Sequence, residues 1–325
     1  MEIFFVCGTG RCGTTVIKRI LAKHQKVFAF PFESRFMVDP DGVVDLYESL
    51  SRSWSPYIVD TKIKRFEVLM KRLYKTSVIS LAWLAISRIL NKNRPYLESP
   101  PYARMSFKRY NINIMKHFNE LESNLSVYKY NGSWVGNTQV TLMPSIKFCP
   151  PVARAYLASS LREFVEKIID PILVKRNATH WCEDSPFSIL HAESILEILP
   201  QSKFIHIYRD PRDVIASYKQ QPWAPRDIAL LVKFYKSIIQ RIFKVIENMP
   251  ENSLIEVPFE RLLKYPKEEI LKIKEFIGLQ IDNSLFQTDL EKSHSGRWKR
   301  EFSTGEQEYI RKELEHIRQR LGYSD

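Results

Sequence analysis

The chain has 325 residues, of which 44% are hydrophobic, 12% aromatic and 26% charged. That balance belongs to a folded globular protein and excludes a disordered tail, a collagen-like fibre or a disulfide scaffold. Its 49 Lys and Arg exceed its 37 Asp and Glu by 12, which implies an anionic partner: a nucleotide, a polyanion or a lipid surface. Cys7, Cys12, Cys149 and Cys182 form no C-x-x-C pair and no metal-type Cys/His spacing, so structural thiols in a reducing compartment are expected. A phosphatase-type loop needs an Arg six positions after its Cys. Gly13 and Lys18 stand there after Cys7 and Cys12, which excludes that class.

In chain order, the first unit is strand 3–7 (IFFVC), a Gly-rich turn at 8–13 and helix 14–24, followed by strand 27–30 (VFAF). MEIFFVCGTG runs straight into this strand without a secretory pattern, and no apolar run reaches the roughly 18 residues of a membrane span. A cytoplasmic chain is the expectation. Helical periodicity then dominates at about 43–53, 61–75, 77–91, 103–121 and 151–176. Helix 188–199 stops at Pro200, strand 204–208 (FIHIY) follows, and another helix starts near Asp213, which is expected to cap it. A long helix at 225–248, strand 253–257 and helices 259–264 and 267–277 come next. The last helix, 304–321, opens on Ser303-x-x-Glu306, a capping box. Strands alternating with helices predict an α/β domain over 1–325, a central parallel β-sheet flanked by helices, with a mainly helical insertion at about 40–175.

Two anion-binding patterns stand out. Residues 8–15 read GTGRCGTT between an apolar strand and a helix. Gly8-x-Gly10-x-x-Gly13, with Glu33 lying 20 residues beyond Gly13, has the dinucleotide spacing. Gly8-x-x-x-x-Gly13-Thr14-Thr15 has the phosphate-loop spacing, with Thr14 where that loop carries lysine. A dinucleotide turn wants small neutral residues, whereas here Arg11 projects from the loop and two hydroxyls open the helix. A triphosphatase needs the missing lysine and a carboxylate for Mg²⁺. A nucleotide bearing neither triphosphate nor metal fits better. The second pattern is FIHIY running into Arg209-Asp210-Pro211-Arg212-Asp213-Val214-Ile215-Ala216-Ser217. Its guanidinium and hydroxyl leave one strand-turn-helix and form a second phosphate clamp.

Together these residues resemble the sulfotransferases that use 3′-phosphoadenosine 5′-phosphosulfate (PAPS), the bacterial and carbohydrate-type members above all. Arg11-Cys12-Gly13-Thr14-Thr15 is similar to the family's K/R-x-G-T-T loop, and residues 209–217 to its R-D-P-x-D-x-x-x-S element. Phe259-Glu260-Arg261-Leu262 resembles the aromatic-E-x-L element near the adenine, and Gly296-Arg297-Trp298-Lys299 the late G-x-W-K/R segment. The pattern departs at Glu291-Lys292-Ser293, which only partly keep a basic R-K-G element. It departs again at Trp181-Cys182-Glu183-Asp184-Ser185-Pro186, where Asp184 replaces a lysine. The resemblance spans residues 3–36 and 181–322.

The resemblance implies the phosphate-loop NTPase-like sulfotransferase fold and PAPS as co-substrate, with 3′,5′-ADP as product and no metal. It implies that Thr9, Gly10, Arg11, Cys12, Gly13, Thr14 and Thr15 bind the 5′-phosphosulfate, that Arg209 and Ser217 bind the 3′-phosphate, and that Phe259, Arg297 and Trp298 complete the cofactor site. Arg11 is then the catalytic cation at the leaving phosphate; it cannot donate a proton. Glu33, in FPFESRFM, stands where carbohydrate-type members carry the base for the acceptor; a salt bridge to Arg35 or Arg11 is its structural alternative. His180 is the second candidate base. The acceptor is a hydroxyl or amine on a carbohydrate, a lipid-linked or a small molecule, shaped by the insertion. Segment 61–94 holds nine Lys/Arg against Glu67 alone and reads either as a solvated shoulder or as a peripheral membrane or acceptor contact. No helix shows an interleaved Arg/aromatic face, so nucleic acid is not expected. The competing reading is an ATP-dependent kinase of phosphate-loop ancestry.

Overall fold

The computed structural model describes residues 1–74, 106–135, 144–287 and 295–323. The predicted helix 77–91, the 75–94 part of the basic segment and Glu291-Lys292-Ser293 lie outside them. In chain order come β1 (Glu2–Cys7), α1 (Thr14–Leu21), β2 (Val27–Ala29), α2 (Val43–Arg52) and α3 (Pro56–Tyr74). Then follow α4 (Ile114–Asn124), the hairpin β3 (Tyr128–Asn131) and β4 (Ser145–Phe148), α5 (Arg154–Arg176), β5 (His180–Glu183) and α6 (Ala192–Ile198). The remainder is β6 (Lys203–Tyr208), α7 (Pro211–Lys219), α8 (Ile228–Ile246), β7 (Leu254–Pro258), α9 (Phe259–Lys264), α10 (Pro266–Ile277), α11 (Trp298–Glu301) and α12 (Thr304–Arg320).

Contacts divide the chain into two compact units. One holds 2–30, 177–193 and 201–325; the other holds 31–176 and 194–200 together with Met1. The first unit contains a five-stranded parallel sheet in the order β2-β5-β1-β6-β7. β1 sits at its centre because IFFVC is apolar on both faces, as a strand covered on both sides must be; each of Ile3 to Cys7 is buried. Phe4 and Val6 join Cys12, Ile17, Leu21, Ile207, Val257, Phe259, Ile270 and Ile273 in one core cluster. The Ser303–Glu306 capping box forms as expected, with reciprocal bonds at the start of α12.

The second unit is helical apart from the β3–β4 hairpin, which interrupts the predicted run of helices. Lys147 of β4 is buried, and its ammonium bridges Glu67 at 2.7 Å and Glu122 at 2.6 Å. Asp60 accepts from the Lys147 amide and the Trp134 indole, each at 2.8 Å. Much of the basic face of α3 is neutralised locally: Lys62 pairs with Asp45, Lys64 with Asp60 and Lys71 with Glu67. Among the described residues, no helix is long and apolar enough to cross a membrane.

Candidate active site

The first loop leaves the carboxyl end of β1 and is tightened by two glycines. A Cβ on Gly8 would stand 2.4 Å from the Ile207 carbonyl oxygen, and one on Gly13 2.6 Å from the Phe259 ring. Gly13 also has φ 115° as the N-cap of α1, a conformation only glycine adopts without strain. Arg11 itself takes φ 58°, and its side chain is exposed. The turn delivers the chain into α1, whose first amides have no earlier carbonyl in the helix to bond. No acid stands in that first turn. The partial positive charge of the helix end therefore meets no carboxylate from its own first turn, which suits an anion.

The second loop leaves the carboxyl end of β6, the strand paired with β1 from Phe4 to Cys7. Asp210, not Asp213, caps α7, accepting from the Arg212 amide at 2.9 Å, and Pro211 occupies the first helical position. Asp213 has another task. Its buried carboxylate lies 3.3 Å from the Arg209 guanidinium and accepts from the amides of Gly296 at 2.8 Å and Trp298 at 3.1 Å. Arg209 is buried with its guanidinium 5.3 Å above the Phe259 ring.

The two loops meet. Arg11 Nε donates to Ser217 Oγ at 3.0 Å, and the Tyr218 hydroxyl donates to the Thr9 carbonyl. The carboxyl ends of two neighbouring strands thus bring together Arg11, Arg209, Thr14, Thr15, Ser217 and the amides at the start of α1. Thr9 and Thr14 are buried while Thr15 is exposed. The Cys12 side chain turns into the core, where burial pushes its thiol pKa up, so this residue offers only its backbone. Phe259 also lies in the core, beneath Gly13 and Arg209. The Trp298 ring lies 4.4 Å under the Arg212 guanidinium, and Arg297 is committed to Glu301 at 2.6 Å.

Three placements differ from or add to the sequence reading. His180 begins β5 opposite Glu2 and Val27, at the amino edge of the sheet. At about 3.3 Å per residue along β1, that is the far end from the first loop, so His180 is not placed to act as base. Glu33, in the second unit, forms an ion pair with Arg35 at 2.8 Å. It follows β2, which pairs with β5 and not with β1. Asp184, standing where the resemblance called for lysine, meets the Lys18 ammonium at 2.7 Å, both side chains being buried. The ammonium has moved to α1. A lysine one helical turn beyond Thr14, paired in sequence with an acid at 184, was the signal for it.

The Sulfotransferase family profile matches residues 4–283. The chain belongs to that family. A Caenorhabditis briggsae protein described as a protein-tyrosine sulfotransferase is 31% identical over 129 residues, 37% of this chain and 45% of its own length. A Caenorhabditis elegans protein of the same description is 28% identical over 131 residues, 38% of this chain and 50% of its own. The matches thus span about half of these relatives. Among solved structures, the sulfotransferase domain of the Synechococcus PCC 7002 olefin synthase aligns with 100% of this chain and 95% of its own, at 13% identity and a TM-score of 0.45. A Mycobacterium avium sulfotransferase aligns with 99% of this chain and 77% of its own, at 14% identity and a TM-score of 0.47.

Proposed function

We propose that this family member transfers a sulfuryl group from PAPS to a hydroxyl or amine of an acceptor by in-line displacement. The observation that carries the reading is the Arg11–Ser217 bond, which joins two cationic loops from neighbouring strands into one site for a ligand anionic at both ends. The donor set fits such a ligand: two guanidiniums, three hydroxyls and a helix N-terminus, with no acid in the first turn of α1. When bound, PAPS supplies an activated sulfuryl group on a phosphate that leaves as 3′,5′-ADP.

The rest of the chemistry belongs to the protein. Amides at the start of α1 and the hydroxyls of Thr14 and Thr15 hold the sulfated end. Arg11 stabilises negative charge where it builds, and its fixed protonation means it acts electrostatically. Arg209 and Ser217 hold the remote phosphate and set the register, so that much of the rate gain comes from positioning. Glu33 takes the acceptor's proton, with Arg35 holding the carboxylate beside it. The reading calls on no metal and on a hydroxyl-bearing acceptor, and it keeps the chain in the cytoplasm with 61–94 as a contact for an anionic or lipid-linked acceptor.

The test is thermal melting with 3′,5′-ADP and 5′-AMP in the absence of Mg²⁺. A ligand at 100 times its Kd adds about 2.7 kcal/mol to stability, so 3′,5′-ADP should raise Tm by several degrees while 5′-AMP does much less. Arg209→Ala should erase the difference. Equal shifts from the two nucleotides would mean that the second loop holds no phosphate.

A further inference from the structure

The carboxyl end of α12 is finished by a glycine turn that aims one side chain. The Gly322 amide donates to the Gln319 carbonyl at 3.1 Å and the Tyr323 amide to the Arg318 carbonyl at 2.8 Å, the paired bonds of a Schellman motif. Gly322 takes φ 77°, the left-handed conformation that this motif asks of the residue after the helix cap. Tyr323 is thereby carried back onto the sheet, where its ring meets the Tyr208 ring of β6 edge to face at 6.2 Å. Its hydroxyl donates to one carboxylate oxygen of Glu260. The other oxygen of Glu260 accepts from the Asp210 amide at 3.2 Å.

We infer that Tyr323 is a positioning residue for the second anion loop, acting through Glu260. α9 begins where β7 ends, and its first two side chains hold two successive residues of that loop. The Phe259 ring lies 5.3 Å under the Arg209 guanidinium, and Glu260 takes the Asp210 amide. Asp210 in turn caps α7 and pairs with Arg212. A carboxylate with one oxygen on each neighbour ties their positions together most firmly while it is ionised and both donors are in place. Burial raises the pKa of Glu260 above its ordinary 4.5, and the Asp210 carboxylate pushes the same way, against the Tyr323 hydroxyl and the Asp210 amide. Tyr208 lies within range of its charge as well. Losing the Tyr323 hydroxyl therefore moves Glu260 toward its neutral form, a weaker acceptor for Asp210. The proposal rests on the second loop being a phosphate clamp, as proposed above, and adds what holds that clamp in register.

Titration of wild type, Tyr323→Phe and Glu260→Gln with 3′,5′-ADP and 5′-AMP, at neutral and mildly acidic pH, tests it. Hydrogen exchange of the Asp210 amide in the nucleotide-free protein is read alongside. Tyr323→Phe keeps the ring on Tyr208 and removes only the hydroxyl. It should weaken 3′,5′-ADP by about two- to tenfold, the worth of one net hydrogen bond, leave 5′-AMP unaffected and speed exchange at Asp210. On acidification its affinity for 3′,5′-ADP should begin to fall at a higher pH than in the wild type. Glu260→Gln still offers the Asp210 amide an oxygen but has nothing to titrate, so it should lack that acid limb. A tyrosine that only stabilises the fold would lower Tm while leaving the ratio of the two affinities and the acid limb where they were. That result, or an Asp210 exchange rate that Tyr323→Phe does not alter, would overturn the positioning role. If the wild type binds 3′,5′-ADP and 5′-AMP alike, the phosphate reading fails instead, and exchange at Asp210 in the free protein still decides whether Tyr323 holds the loop.

Discussion

At the scale of single residues, charge placement decides function, and Glu33 and Asp184 show how context assigns a carboxylate its role. Asp184 is sealed against Lys18 with side-chain exposures of 6% and 9%; removing either partner would leave a buried charge without compensation, so this pair is architecture. Glu33 is 30% exposed at its side chain beside Arg35 and keeps access to solvent. Glu33→Gln preserves shape and removes basicity. It should lower kcat by about 10²-fold or more, the lower end for a general base, while 3′,5′-ADP binds within a few-fold of wild type. Steady-state kinetics on a hydroxyl acceptor beside nucleotide titration makes the check. A normal kcat would assign Glu33 to the ion pair alone.

Between residues and the whole lies the strand-loop-helix element, used twice, and there the sequence was most informative. GTGRCGTT and RDPRDVIAS each follow a short apolar strand, so their positions at carboxyl ends of parallel strands could be read directly. What could not be read was pairing across sequence distance. Nothing in the motifs announces that Arg11 meets Ser217, 206 positions on, or that Asp213 meets Gly296 and Trp298. β5 escaped detection because HWCE is four residues with polar ends, too short for a period to show. β3 and β4 escaped for the same reason, and the helical pattern around them filled the gap. The element's weak point is its last glycine. Gly13→Ala would put a methyl 2.6 Å from the Phe259 ring at φ 115°, where backbone strain alone costs about 1–3 kcal/mol. Urea denaturation should record a loss of at least that size, with nucleotide binding weakened beyond what Thr15→Ala causes.

For the molecule as a whole, stability against pH separates structural from catalytic histidine. His180 Nε2 lies 3.2 Å from the Ile277 carbonyl and its Nδ1 2.8 Å from Thr179 Oγ1. Burial, opposed in part by that carbonyl, pulls its pKa below the ordinary 6.5. The folded state therefore prefers neutral imidazole. Between the folded value and 6.5 the unfolded chain binds more protons, so stability falls as pH drops through that window and levels off below it. Carboxylates held low by hydrogen bonds, such as Glu306 by the Ser303 amide, lose their contribution only further down, below their ordinary 4.5. Urea midpoints across the two windows should show the upper slope flattened in His180→Gln and the lower one retained. The order of the sheet also has a kinetic meaning. β1 lies between β5 and β6, so its hydrogen-bonding partners are encoded from residue 180 onward. At about 5–20 residues per second of synthesis, IFFVC waits on the order of ten seconds or longer before either neighbour exists. During that interval it is a naked apolar strand, the kind of segment chaperones and aggregates compete for. The strand that carries the first loop is thus among the first made yet waits for β5 and β6 before it is enclosed, and the candidate site comes into being only once the second loop has been translated.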